Sequence, residues 1–264
     1  MNKQLARTLL RTIIGLRLSL AQRIFLDRDS GEALFRHTWN ALRDHPLIAW
    51  CAVRTRQRFR PDARESLLFE LLTVMRARGI PFEPDMQLQA PTTIQTLLDQ
   101  GRLPLIVVTN HTGFRATTRS LLRNGLPVTL VTDTLPPEEL TRRYRSILEK
   151  YPKFSMVPKD RYCLAALRKA LRNGCTISCA ADYQDPITKT YSLVSPAIFE
   201  FAQRMDIELL WAKTIVNDDG SLTSLLDGPH RVSDPIASTR RFIDFLNAGR
   251  HRPRSFRIAY PSST

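Results

Sequence analysis

The sequence lacks the cysteine patterns that hold metal ions or disulfide frameworks. It has four cysteines among 264 residues, with no CxxC pair and no histidine beside them. A reducing compartment without structural zinc is therefore the simplest expectation. Histidine is scarce as well, with five in the chain.

Long apolar runs are missing near the N-terminus. Arg11, Arg17 and Arg23 leave uncharged runs of only five residues there, whereas a membrane-spanning helix needs about 20 mainly apolar residues. A signal peptide would need an apolar core of about 7 to 15 residues followed by a small-residue cleavage site. We therefore expect neither a spanning helix nor a cleaved signal in this segment.

Acidic residues are few relative to basic ones, with 25 Asp and Glu against 39 Lys and Arg, which gives a net charge of +14. Such a charge steers a protein towards acidic partners. A nucleic acid is not the expected partner, because no nucleic-acid-binding motif accompanies the charge. Hydrophobic residues make up 43% of the chain, which is enough for a core and excludes disorder as the main state.

Residues 1–28 form a basic segment in which Asp27 is the one acid. Placed on a helix at about 100° per residue, the segment shows an apolar arc bordered by Arg17 and Arg23. The arc consists of Leu5, Leu9, Ile13, Leu16, Leu20 and Ile24. Two interpretations stay open: the arc lies on an anionic leaflet, or it packs in the core, as in most amphipathic helices of globular proteins.

Periodicity divides the chain into residues 1–100, which look all-helical, and residues 101–264, where short β-branched runs alternate with amphipathic helices. After the basic segment, the predicted helices are 31–43, 47–58, 63–78, 92–98, 114–123, 138–150, 163–172, 196–204 and 238–247. The predicted strands are 104–109, 127–132, 154–157, 175–180, 207–216, 222–225 and 255–259. The pattern predicts an α/β fold in one compact unit, with a mostly parallel central sheet flanked by helices and an N-terminal helical layer.

Residues 107–115 read Val-Val-Thr-Asn-His-Thr-Gly-Phe-Arg, a strand that ends in a polar turn and opens a helix. His111 is thus predicted at the carboxyl end of a strand, where α/β sheets usually build their sites. Beside Gly113, which lets a substrate approach the backbone, it is a candidate general base. Periodicity alone favours the simpler role of a structural histidine that caps the helix or bonds a carbonyl.

Further blocks follow in a distinctive order. They are residues 110–115, 125–131, 157–161, 167–174, 180–185, 195–202 and 226–229. Their order and spacing over residues 100–255 resemble the lysophospholipid acyltransferase superfamily, and within it the bacterial late lipid A acyltransferases. The resemblance implies an acyltransferase-like fold and the transfer of an acyl chain from a thioester to a hydroxyl or amine.

By this resemblance, His111 takes the proton from the attacking hydroxyl or amine, and an acid five positions later orients its ring. Here that position is Ala116. We expect Asp133, Asp182 or Asp185, each of which follows a predicted strand, to supply the carboxylate instead. Helix capping and turn formation are the ordinary alternatives for these aspartates.

The resemblance also places Arg161 on a phosphate of the donor or acceptor, since a guanidinium bonds phosphate oxygens in pairs. Asn110, Gly113 and Arg115 complete the expected substrate site, and Arg119 could add to it. A surface arginine is the plain alternative for Arg161.

The implied donor is an acyl carrier protein or coenzyme A thioester, which is a substrate, with no metal ion or other cofactor. The expected partners are an acidic acyl carrier protein and an anionic membrane surface that residues 1–28 contact. We expect a cytoplasmic protein that could lie peripherally on the inner membrane. The open alternative is a catalytically degenerate protein that binds lipid or carrier protein without turnover.

Overall fold

The computed structural model describes residues 3–24, 31–55, 63–80, 82–92, 96, 99, 105–110, 113–133, 136–184, 192–248 and 256–259. Two predicted catalytic residues, His111 and Asp185, lie outside these ranges. Most of the short helix predicted for residues 92–98 lies outside them as well.

Four helices form an N-terminal layer, as the periodicity predicted. They are α1 (Lys3–Ile24), α2 (Gly31–Leu42), α3 (Pro46–Thr55) and α4 (Ala63–Ala77). Their shared core surrounds the buried aromatic rings of Phe35 and Trp39 on α2. The same core includes Ala116 and Leu222 from the second part of the chain, and so the helical layer packs directly against the α/β part.

A buried carboxylate ties α1 to α4. Glu70 of α4 accepts hydrogen bonds from Arg7 Nε at 3.1 Å and from Arg11 Nε at 2.7 Å. The two arginine side chains are 42% and 43% exposed, whereas that of Glu70 is 3% exposed. Since α1 contains no acid of its own, part of its charge is neutralised by the helix on which it packs.

Within the predicted apolar arc, Ile13 packs partly against the core, but most of the buried face of α1 lies beside the arc. The buried side chains are Ala6, Leu10, Ile14, Leu18 and Ala21. Four leucines of the arc, Leu5, Leu9, Leu16 and Leu20, remain between 36% and 67% exposed. Core packing is therefore the wrong interpretation for these four leucines. Among the described residues, no helix has both the length and the apolar character needed to cross a bilayer.

The remaining elements alternate between strands and helices. The described strands are β1 (Met86–Gln89), β2 (Ile106–Thr109), β3 (Val128–Thr132), β4 (Phe154–Pro158), β5 (Thr176–Ala180), β6 (Asp182–Gln184), β7 (Ser192–Val194), β8 (Leu209–Val216), β9 (Leu222–His230) and β10 (Phe256–Ile258). The helices among them are α5 (Phe114–Arg123), α6 (Pro137–Lys150), α7 (Cys163–Arg172), α8 (Ala197–Met205) and α9 (Pro235–Asn247).

The central sheet has seven strands in the order β1-β9-β8-β2-β5-β3-β4. From β8 to β4 all neighbours are parallel. Strand β9 runs antiparallel to β8, and β1 runs parallel to β9. The predicted α/β class with a mostly parallel central sheet is therefore confirmed. The carboxyl ends of β2, β5, β3 and β4 meet at one edge.

Three short strands and one long one differ from the prediction. Strand β1 joins the sheet beside β9, and so the prediction of an all-helical first hundred residues is wrong. Strands β6 and β7 were not predicted and form a second sheet in the order β10-β7-β6. Strand β9 continues to His230 rather than ending at residue 225, because its pairing with β8 extends to His230, with an irregularity between Leu209 and Trp211.

The side chains of the central sheet alternate between two hydrophobic cores, one on each face of the sheet. Val107 packs with α5 and α6 on one face, and Val108 packs with α7, α8 and α9 on the other. Since successive side chains of a strand point to opposite faces, this division follows from the backbone.

Contacts between hydroxyl groups join α5 to the central sheet. Thr118 Oγ1 lies 3.0 Å from Ser178 Oγ, and Thr117 Oγ1 lies 3.5 Å from Thr214 Oγ1. These side chains are small and buried, and so α5 lies close to the strands with its first turn above their carboxyl edge.

Candidate functional site

The turn between β2 and α5 is closed by backbone hydrogen bonds. The Asn110 carbonyl accepts from the N–H groups of Gly113 and Phe114 at 3.0 and 3.1 Å. Asn110 and Gly113, which stand on either side of His111 and Thr112 in the sequence, are both buried. The strand, turn and helix therefore lie where the sequence predicted them.

Gly113 is required here by close packing. Thr214 Oγ1 of β8 donates a hydrogen bond to the Gly113 carbonyl at 3.2 Å. A Cβ atom on Gly113 would lie 2.7 Å from that hydroxyl oxygen and 3.1 Å from Asn110 Oδ1. A side chain at this position would push the turn away from β8, which gives the glycine a structural role beside the predicted approach of substrate.

A cavity of about 450 Å³ opens next to this turn. One wall is the side of α4 that carries Glu65, Phe69 and Arg76, and another is the start of α5, where Phe114, Ala116 and Arg119 are among the lining residues. The floor is the carboxyl edge of the sheet, where Thr132 ends β3 and Ala180 ends β5. The cavity thus lies at the edge where parallel sheets usually bind ligands.

Arginines from both walls meet in this cavity. Arg76 comes from α4, and Arg115 and Arg119 come from the first turns of α5. Burial lowers the pKa of Arg119 below its ordinary value; Glu83 opposes that shift, and the positive charges of Arg115 and Arg76 add to it. Like charges that repel one another in a partly buried pocket favour the binding of an anion.

Aromatic rings and an acid hold these guanidinium groups in place. The Arg115 guanidinium lies 5.5 Å from the ring centre of buried Tyr144 and 5.6 Å from that of Phe114. Arg119 forms an ion pair with Glu83, which Arg123 also approaches at 3.6 Å. Arg115 and Arg119 therefore both line the cavity.

The predicted acids occupy different positions. Asp133 follows β3, is exposed and lines the cavity. Asp182 is buried at the start of β6 and is not among the described lining residues. The register between β2 and β5 nevertheless relates the sequence position of Asp182 to that of His111. Asp182 comes two residues after Ala180, the partner of Thr109, and His111 comes two residues after Thr109 in the sequence.

Three charged residues of the cavity were not predicted: Glu65, Lys159 and Arg76. Glu65 on α4 is buried and lines the same cavity as Ala116. Lys159 lines the cavity and is the first residue after β4. Its backbone N–H donates a hydrogen bond to the Thr132 carbonyl at 2.9 Å. The position of Lys159 directly after a parallel strand was a usable signal, whereas nothing local in the sequence of α4 marks Glu65.

Arg161 is exposed in the turn after β4 and does not line the cavity described here. Its guanidinium lies 4.7 Å from the ring centre of Tyr162. Of the basic residues in the block 157–161, the structure thus brings Lys159 to the cavity and leaves Arg161 on the surface nearby.

His230 has a carboxylate partner at the opposite edge of the sheet. His230 Nε2 lies 2.9 Å from Asp227 Oδ2, and the imidazole stacks on Trp211 with ring centres 3.6 Å apart. His230 pairs with Leu209 at the start of β8, and so this pair is remote from the cavity at the carboxyl ends of the parallel strands.

No family model matches the chain, and no curated protein matches it.

Proposed function

We propose that the protein is an acyltransferase of the lysophospholipid acyltransferase type, close to the late lipid A acyltransferases. The observation that carries the proposal is the cavity beside the β2–α5 turn, which combines the apolar side chains of Phe69 and Leu72 with the arginines Arg76, Arg115 and Arg119. This lining suits an amphiphilic anion, because it offers an apolar surface to a chain and charge-assisted hydrogen bonds to a phosphate.

In the proposed reaction, His111 acts as the general base. It accepts the proton of an acceptor hydroxyl or amine as the oxygen or nitrogen attacks the thioester carbonyl. The new C–O or C–N bond forms, the C–S bond breaks, and the proton passes to the departing thiol. The arginines would bind the phosphate of the donor or acceptor, and the reaction would take place in the cytoplasm at the inner face of a membrane.

Asp182 is the acid we favour as the partner of His111. It is buried, and it follows the strand next to β2, whereas Asp133 follows β3, one strand further away. A buried carboxylate orients an imidazole better than an exposed one, because water competes less for its oxygens. We expect Asp182→Asn to lower kcat far more than Asp133→Asn.

The test of the proposed function is acyl transfer from radiolabelled acyl carrier protein to a lipid extract, followed by thin-layer chromatography. The wild-type chain should form a labelled lipid, and His111→Ala should form none above background. A labelled lipid of equal intensity from both proteins would exclude His111 as the base.

Ala116 favours a second candidate, a degenerate protein that binds without turnover. Its side chain is an apolar part of the cavity wall and of the helical-layer core, where the resemblance implies a carboxylate. Under this alternative the carrier protein or lipid still binds, neither protein forms product, and His111→Ala leaves binding unchanged.

A further inference from the structure

Helix α1 presents three distinct faces. The first is buried in the core through residues such as Leu10 and Ile14. The second carries the four exposed leucines Leu5, Leu9, Leu16 and Leu20, here named the leucine stripe. The third lines a groove against α4. A helix that only packed on its neighbours would need the first face alone.

The groove between α1 and α4 has a volume of about 500 Å³. Arg11 and Arg78 line it together with hydroxyl side chains, and we name it the basic groove. Its hydroxyl residues are Thr8, Thr12, Ser19 and Thr73. The hydroxyls of Ser19 and Thr73 already donate to the carbonyls of Gly15 and Phe69, and so the guanidinium groups are the main donors that the groove offers to phosphate oxygens.

Arg78 is held over the backbone of α1. Its Nη1 donates to Ser19 Oγ at 3.0 Å, and a Cβ atom on Gly15 would lie 2.9 Å from its Nη2. The absence of a side chain at Gly15 lets the guanidinium lie against the helix. Arg78 is exposed, and so its charge faces the open groove.

The basic groove and the leucine stripe lie side by side on α1. Leu16 belongs to the stripe and also lines the groove. At about 100° per residue, Thr8, Thr12 and Ser19 occupy the sector next to the leucines. Apolar side chains bordered by phosphate-binding groups match the boundary between acyl chains and headgroups in a bilayer leaflet.

We propose that this face of α1 docks on an anionic bilayer, with the leucine stripe inserted among the acyl chains and lipid phosphates in the basic groove. Arg17 and Arg23 on α1 and the net charge of +14 complement an anionic surface, because each basic residue near such a surface adds to the attraction. A second copy of the chain is the less favoured occupant, because two proteins of this charge repel each other. The docking proposal does not depend on acyl transfer.

The experiment is flotation of the full chain with vesicles of phosphatidylcholine alone and of phosphatidylcholine with about 30% phosphatidylglycerol. We expect binding to the anionic vesicles, and an approximately tenfold lower partition constant for Leu16→Gln. The matched control is Leu164→Gln, which changes a leucine that is 52% exposed on α7. It should bind as the wild type does, and both variants should keep the wild-type melting temperature.

A second variant tests the groove. Arg78→Gln should weaken binding to the anionic vesicles several-fold. Wild-type protein that stays unbound would overturn the proposal. Unchanged binding of both Leu16→Gln and Arg78→Gln would also overturn it, because net charge alone would then account for the attraction. No acyl substrate enters these measurements, and so their failure is separate from failure of the proposed function.

Discussion

Thr214 and Gly113 touch across the base of the candidate site. The threonine hydroxyl donates to the glycine carbonyl at 3.2 Å, and a Cβ atom on Gly113 would approach that hydroxyl oxygen to 2.7 Å. We predict that Gly113→Ala lowers the free energy of unfolding by about 1 to 3 kcal/mol, because the added atom overpacks a buried contact. Urea denaturation measures the change.

The control for this prediction is Thr214→Ala in the Gly113→Ala background. Removal of the hydroxyl relieves part of the overlap, and so the double variant should be more stable than the sum of the two single changes indicates. An unchanged urea midpoint for Gly113→Ala would show that the turn tolerates a side chain.

The boundaries of the core elements could be predicted because the local signals there are strong. The helices 114–123 and 163–172 have the bounds of α5 and α7, since each combines helical periodicity with a Gly soon after its end. The turn at Asn110 and Gly113 was also predicted from a local signal, because an apolar strand stops there at polar residues before a helix.

The missed features depend on contacts between distant parts of the chain. Strand β1 is short, lies at the edge of the sheet and follows prolines, and it becomes a strand because β9 offers a partner. The packed face of α1 could not be identified from periodicity, because Leu10 and Leu16 belong to two competing apolar sectors. The α4 wall of the cavity was not predicted either, because Glu65 and Arg76 are far from the β2–α5 turn in the sequence and reach the cavity only through tertiary packing.

Arg119 and Arg123 provide a matched pair for the anion site. Both approach Glu83, but Arg119 lines the cavity and Arg123 does not. We predict that Arg119→Gln raises KM for a phosphate-bearing substrate about tenfold or more, the effect of one lost charge-assisted hydrogen bond. Arg123→Gln should change KM little. Equal effects of the two changes in steady-state kinetics would argue against an anion site at Arg119.

Glu70 anchors α1, and its removal should loosen that helix. Glu70→Ala leaves Arg7 and Arg11 without the carboxylate they share. Because the two arginines are about half exposed and can regain water, we expect a loss of about 1 to 3 kcal/mol in unfolding free energy. The exposed pair of Glu32 and Arg36 on α2 supplies the control, since Glu32→Ala should cost less than about 0.5 kcal/mol. Similar losses for both variants would contradict the anchoring role.

Cys179 should be chemically inert in the folded protein. Burial raises the pKa of its thiol from 9.0 to about 12, and so at pH 8 only about one thiol in 10⁴ is ionised. The raised pKa of the Cys179 thiol also makes the free energy of unfolding depend on pH. The unfolded chain releases this proton at a lower pH than the folded chain, and so the stability is fully present below pH 9 and is lost as the pH rises towards 12. Alkylation mapped by mass spectrometry should find Cys179 unmodified at pH 8 until the chain is unfolded. Rapid native labelling at Cys179 would contradict its buried position.

The most direct test of the proposed acyl transfer is the intact mass of an acyl carrier protein incubated with the chain and a lipid extract. This measurement follows loss of the acyl group from the donor and needs no knowledge of the acceptor. We predict that the wild type converts the acylated carrier to its free-thiol form only when lipid is present, and that His111→Ala leaves the carrier acylated. Conversion by both proteins, or by neither while the carrier still binds, would contradict an acyltransferase that uses His111.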